Sequence, residues 1–342
     1  MPGQRLVALA VLLAAAVTVA VFTFYSKRPT SSGMLDAAAF RNLTQPEQLG
    51  VLKGITDREG PEDGWQFVKS AYATAQGVIG NPHDLAHFVG GELYAAFGVA
   101  GITRCDPTFA FGCYHGVLDR ALAVEGVAAA LQARDECYRA GGSADPEASG
   151  CIHGFGHGFL TFENLDLEKA LAHCGLLSER EQPYCWDGVF MEHMLSAPAA
   201  SYPPDELWYP CSAVAERYRN QCARSEAQVL RFKRRLDTPA IAAVCLTGET
   251  PAMRSHCLDG LGFYIAQQSQ GDIGVIQRGC GRIADRPAES QCITAAAGEI
   301  VFQNYPGWPL ATRRLCGDLA PEFQSACQGR VQYIEKTYRP GP

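Results

Sequence analysis

The chain has 342 residues, 47% hydrophobic and 19% charged, which excludes a disordered or fibrous protein and supplies enough apolar mass for a large core. Its net charge of −7 gives no basic footprint, so nucleic acid is not an expected partner. No G-x-S-x-G elbow, G-x-G-x-x-G turn or P-loop occurs, so no familiar motif names a reaction.

Residues Leu6–Tyr25 form a 20-residue run without a charge, long enough to span a bilayer as a helix. Arg5 precedes it and Lys27 and Arg28 follow it, so the flanking charges do not set its orientation. The segment 1–28 reads as an N-terminal membrane anchor. The competing reading is a cleaved signal peptide, for which the end Phe22-Thr23-Phe24-Tyr25 lacks the small residues of a cleavage site. Fourteen cysteines, none before Cys105, follow this export segment and read as disulfides in an oxidising compartment. The body is therefore expected on the extracytoplasmic side, in the periplasm or at the cell exterior, with the membrane as a partner through the N-terminal helix. Residues 29–60 read as linker and short helices: Ser26 to about Gly33, with Pro29, Ser31 and Ser32, is a short linker, and Leu35–Ile55 adds one or two short helices. Asn42-Leu43-Thr44 is a glycosylation sequon, of use only in a host that glycosylates.

From residue 61 to 342 the sequence predicts one α-helical repeat domain. A Cys-free first unit places helix A over Pro61–Gln76, with Trp65, Val68, Tyr72 and Ala75 at helical spacing, and helix B over Asn81–Phe97. Seven cysteine pairs follow: Cys105/Cys113, Cys137/Cys151, Cys174/Cys185, Cys211/Cys222, Cys245/Cys257, Cys280/Cys292 and Cys316/Cys327. Their second members recur at intervals of 38, 34, 37, 35, 35 and 35 residues, the period of a helix–turn–helix repeat. In each unit the first Cys is expected to end helix A. Helix B then starts, often with Pro in its first turn (Pro107, Pro146, Pro251, Pro287, Pro321). Pairing within each unit would staple the two helices, although sequence alone does not fix connectivity. The absence of C-x-x-C speaks against thiolate metal sites, and the absence of C-x-x-C-H against covalent c-type haem. The expected fold is all-α: disulfide-stapled helical hairpins forming either an α-solenoid or a closed α/α toroid.

Counting each helix B from its second Cys exposes a pattern. The positions two and six beyond it are i and i+4 on one helical face. They carry His115 and Asp119, His153 and His157, then Asp187 and Met191, Arg224 and Gln228, Asp259 and Phe263. In the Cys-free unit, where Asn81 takes the place of Cys, the same positions hold His83 and His87. Stacked repeats place equivalent residues side by side, so His83, His87, His115, Asp119, His153 and His157 should converge. Imidazoles with a carboxylate at this spacing are candidate ligands for zinc, iron, copper or manganese, as one ion with supporting partners or as two. Asp187, Glu192 and Asp259 are candidate general acids or bases on the next helices. The bland alternative is that these histidines bond neighbouring carbonyls and that the glycines following them, Gly116, Gly154, Gly188 and Gly260, allow close helix packing. His173 and His256 fall outside the register and read as ordinary, and the basic tract Arg217–Arg235 as a solvated helix face.

Gly112–Gly116 (GCYHG), Gly150–Gly158 (GCIHGFGHG) and Cys185–His193 (CWDGVFMEH) resemble an uncharacterised group of exported prokaryotic proteins built from paired-Cys helical repeats with C-x-H-G-x-G-H-G signatures. The resemblance covers roughly residues 80–200 and implies no particular reaction. The hairpins are similar to Sel1-like and tetratricopeptide repeats in architecture only. Two function classes follow as expectations. One is a membrane-tethered metal-binding protein, possible as a metal-dependent enzyme, with its site on the first three to five repeats. The other is a cell-envelope binding scaffold whose concave face engages a peptide or protein and whose histidines are structural. Non-covalent haem between a His pair is a third.

Overall fold

The structure, a computed structural model, is described over residues 36–73, 81–141 and 150–338. The apolar run Leu6–Tyr25, the linker from Ser26, and Pro146 lie outside the described residues. The chain divides at Asn42/Leu43 into two units. The described part of the first is one short helix, α1 (Ala37–Arg41).

The second unit is helical throughout its described residues. It opens with α2 (Gln45–Glu59) and α3 (Pro61–Ala71). The backbone N–H of Thr44 donates to Glu47 Oε2 at 2.8 Å, which satisfies a group the helix start would leave unpaired. There follow α4 (Asn81–Phe97), α5 (Gly112–Glu125), α6 (Ala130–Gly141), α7 (Gly150–Phe162), α8 (Leu167–His173) and α9 (Gln182–Ser196). The array continues with α10 (Glu216–Phe232), α11 (Thr238–Leu246), α12 (Pro251–Gln268), α13 (Ile273–Cys280), α14 (Arg286–Phe302), α15 (Trp308–Gly317) and α16 (Pro321–Tyr338). Among these, α4, α5, α7, α9, α10, α12, α14 and α16 are the B helices. Each packs on the next to form one continuous inner layer. The layer curves far enough for the Phe111 ring, at the start of α5, to lie 6.0 Å from the Phe302 ring at the end of α14.

All seven disulfides join the two members of one repeat, over sequence separations of 8 to 14 residues. Closing a loop of this size contributes about 3 kcal/mol in the chain-entropy model. Several B helices begin as their sequence demands. Thr250 Oγ1 accepts the N–H of Met253 ahead of Pro251, and Asp285 Oδ1 accepts that of Ala288 around Pro287.

Three details differ from the expected hairpin. Cys105 ends a 3₁₀ segment, Gly98–Arg104, rather than an α-helix. Pro107 does not open helix B but lies in the loop before it. Phe109, Ala110 and Phe111 all take positive φ (56°, 51°, 65°), so α5 cannot begin before Gly112. That unfavourable backbone is held by Phe109, buried edge-on against Trp65 and Tyr72. Finally, Cys211 has no helix A. Residues 203–214 run through turns, where Pro203, Pro204 and Pro210 remove the donors a helix would need.

The glycines set how closely the B helices approach. A Cβ on Gly116 would sit 1.9 Å from the carbonyl oxygen of His87, and one on Gly188 would sit 2.0 Å from that of His153. Each contact is backbone against backbone, so no side chain can swing aside. The glycine of one helix thus presses on the histidine-bearing turn of its neighbour. Gly188→Ala is expected to lower stability by about 3 kcal/mol, at the upper end of overpacking effects, because α7 and α9 must separate. Urea unfolding of the oxidised protein checks this; a loss under about 0.5 kcal/mol would contradict the packing account.

Candidate metal centre

Close helix packing brings five histidines from α4, α5 and α7 into one cluster. Within α4, His83 Nε2 lies 3.1 Å from His87 Nε2. Within α7, His153 Nε2 lies 3.0 Å from His157 Nε2. His115 of α5 stands between the pairs, its ring centroid 5.5 and 5.3 Å from those of His83 and His87, and 5.8 and 4.8 Å from those of His153 and His157. The ligand-capable atoms of His83, His87 and His115 all lie within 4.8 Å of one another.

The other nitrogen of each paired ring is committed. His83 Nδ1 donates to the Phe109 carbonyl oxygen at 2.7 Å. His87 Nδ1 faces Asp119 Oδ2 at 3.3 Å, and His153 Nδ1 faces Asp187 Oδ2 at 3.4 Å. His157 Nδ1 donates to Glu192 Oε2 at 2.8 Å, and Ser196 Oγ donates to the other Glu192 oxygen. Four acceptors therefore fix four Nδ1–H tautomers, and in the neutral rings all four Nε2 atoms carry lone pairs. Two lone pairs facing each other at 3.0–3.1 Å are not a hydrogen bond. Each pair needs a shared positive partner, either a proton or a metal ion. Imidazoles held at one nitrogen by a carboxylate or carbonyl, with the other directed inward, have the usual form of metal-ligating histidine. His115 fits the same picture: its Nε2 is 3.4 Å from the Gly150 carbonyl oxygen, and its buried Nδ1 has no hydrogen-bond partner.

The electrostatics keep most of these rings neutral. Burial, followed by repulsion from His87, lowers His83 to about 3. Burial and then the surrounding imidazoles drive His115 well below the usual histidine range. Burial also lowers His153, against the pull of Asp187. Burial opposes a charge on His87 as well, but the bond and charge of Asp119, with the charges of Glu192 and Asp84, together outweigh it and the value rises. Glu192 is driven down to about 2: burial would raise it, and the bond and charge of His157, with Ser196 and His87, together more than reverse that. Asp187 is likewise lowered: burial would raise it, and Arg224 and then His153 more than reverse that.

The structure thus brings together all six sequence candidates for metal binding, with Asp119 placed behind His87 rather than at the Nε2 atoms. Asp187 and Glu192, expected as acids or bases, are held by His153 and His157. Asp259 accepts from Gln291 Nε2 at 3.1 Å and lines the same cavity as the histidines. His173 pairs with Glu163 at 2.7 Å, outside the cluster. The basic tract is tied into the fold rather than merely solvated: Arg219 pairs with Glu249, Lys233 donates to the Ala197 carbonyl, and Arg234 donates to that of Glu206. Cys211, Cys222 and Glu226 also approach one another within ligand range, but both sulfurs belong to a disulfide and bind no metal there.

The histidines open onto a cavity of about 300 Å³ enclosed by the B helices. Its lining includes the register residues Asp187, Met191, Arg224, Gln228, Asp259 and Phe263 alongside His115, His153 and His157. Comparison with protein-family models, with curated proteins and with solved structures gives no match. The kinship suggested by the C-x-H-G motifs therefore rests on those motifs alone. What is shown without it is a helical repeat protein with seven disulfides and a histidine group able to hold a metal ion.

One residue of the cavity wall was missed from sequence. Glu299 is 4% exposed and accepts from Gln267 Nε2 at 3.1 Å and Gln303 Nε2 at 2.7 Å. Burial raises it to about 8. The available signal was its position seven beyond the second Cys, which Glu192 also occupies. Because the folded state holds the Glu299 proton more tightly than the unfolded chain, its contribution is largest at low pH. Stability should fall as pH rises from about 4.5 to 8, by several kcal/mol at 1.36 kcal/mol per unit. Unfolding measured across this range should lose that component in Glu299→Gln; an unchanged slope would show that Glu299 ionises as freely folded as unfolded.

Proposed function

We propose that the chain is an exported, membrane-tethered metal-binding protein in which His83, His87, His115, His153 and His157 hold one or two transition-metal ions beside an interior cavity. The observation that carries this reading is the pair of facing Nε2 atoms in each i,i+4 motif, with every paired Nδ1 committed to an acceptor. Asp119, Asp187, Glu192 and the Phe109 carbonyl hold the rings in orientation. A donor set of neutral imidazoles without thiolate suits zinc, copper or iron better than manganese, which prefers oxygen ligands. Bound there, such an ion would supply Lewis acidity or an activated water to whatever enters the cavity. The export part of the reading is supported by the run Leu6–Tyr25 and by fourteen cysteines that all form disulfides.

The test compares residues 29–342 with a His115/His153/His157 triple alanine variant, both exported to an oxidising compartment and purified without a His tag. Elemental analysis should find about one or two equivalents of metal in the first and a clear loss in the second, with helical circular dichroism retained. Metal-free protein after reconstitution with zinc, copper and iron salts would leave the proton-shared, structural reading of the histidines.

A further inference from the structure

The histidines make only part of the cavity. The rest of its lining comes mainly from α10, α12, α14 and α16 and is different in kind. Arg224 of α10 and Arg330 of α16 both lie close enough to Glu299 to act on its charge, and both act on His256 as well. The Glu299 carboxyl is buried between two glutamine amides and predominantly protonated at neutral pH, so it does not cancel the Arg330 charge, whereas Asp187, in the same lining, offsets Arg224. Among the described residues Arg330 forms no ion pair, and it is an exposed residue of the cavity lining. The Arg224 guanidinium lies over the Phe263 ring at 5.4 Å. Phe263, Phe302 and Phe111 add flat apolar surface to the same lining, and Phe302 and Phe111 approach each other across it. A space of about 300 Å³ that sets aromatic and aliphatic surface beside convergent charged and polar side chains has the form of a small-molecule site.

We infer that the cavity binds a small organic carboxylate with a flat apolar body, its carboxylate on Arg330, its body against Phe263 and Phe302, and its other end toward His115 and His153. The guanidinium fork matches a carboxylate in shape and charge, while an amine at the same place would meet the like charge of Arg330. Only the last part of this assignment rests on the proposed metal site; the carboxylate end stands on Arg330.

The probe is 4-phenylbutyrate, titrated calorimetrically into protein whose metal content is measured on the same samples, with 4-phenyl-1-butanol and 4-phenylbutylamine as comparisons. The carboxylate should bind at least tenfold more tightly than the alcohol, and the amine more weakly than either. Arg330 lies on the exposed last helix, so Arg330→Gln should fold normally. It should cost about tenfold in carboxylate affinity and leave the alcohol unchanged, and Arg330→Lys should recover part of the loss. Equal binding of carboxylate and alcohol, or no binding of either, would overturn the inference. So would carboxylate affinity that survives Arg330→Gln but vanishes when metal is removed, because the carboxylate would then sit on the metal. Arginine-dependent binding by protein that takes up no metal would instead sustain the carboxylate end and remove the metal reading.

Discussion

His157→Ala is expected to weaken metal binding by at least a thousandfold, and Glu192→Gln by 10- to 100-fold, the usual range for a group that orients a ligand from behind. The two effects differ because the two residues act differently. His157 supplies one of the two Nε2 atoms that face each other at 3.0 Å, so its removal takes away a donor. Glu192 supplies none; it accepts the His157 Nδ1–H at 2.8 Å and so keeps Nε2 unprotonated. Its removal allows the other tautomer, with a proton where a lone pair is needed. Competition titration against a chromophoric chelator measures both constants. Equal losses for the two variants, or no loss for either, would show that the α7 pair is not a ligand pair. His157 is buried, so stability must be followed in parallel, and Glu192→Gln, at a partly exposed position, is the variant least exposed to that objection.

Reduction should unfold the protein outright. Seven disulfides at about 3 kcal/mol each sum to about 20 kcal/mol in the chain-entropy model, more than the 5–15 kcal/mol by which a folded domain usually exceeds its unfolded chain. Strict additivity does not matter, since half of that sum already equals a typical total. Every disulfide joins the start of a B helix to the segment just before it, and the B helices form the inner layer, so every repeat after the Cys-free first unit is affected. Circular dichroism with and without a strong reductant in urea below the oxidised midpoint provides the measurement. Loss of helix on reduction is expected, as is failure of the chain to accumulate folded in a reducing cytosol. A reduced protein that keeps its cooperative transition would show that the core alone suffices.

Much of the architecture was legible because a disulfide fixes helical phase. With each second Cys as an origin, His115, His153 and their i+4 partners fell on one face, and Asn81 allowed the same count for His83 and His87. The repeat period then put those faces next to one another. What the sequence did not reveal depends on backbone positions that carry no side-chain signal. The His83 partner is the carbonyl of Phe109, in a loop held in the left-handed region by the burial of that phenylalanine. The turns around Cys211 follow from three prolines whose joint effect outweighs the repeat pattern. The distinction between Asp119 as ligand and Asp119 as support needed a distance to a particular nitrogen. Arg330 and Glu299 belong to one site only because the inner layer curves, and curvature is not written in any single repeat.

The most direct test of the central claim is X-ray absorption at the metal edge of wild-type protein carrying its own metal. The account predicts a first shell of nitrogen at about 2.0–2.1 Å if the ion is zinc, with the outer-ring scattering of two or more imidazoles and no sulfur. A shell of sulfur, or of oxygen without imidazole scattering, would contradict it.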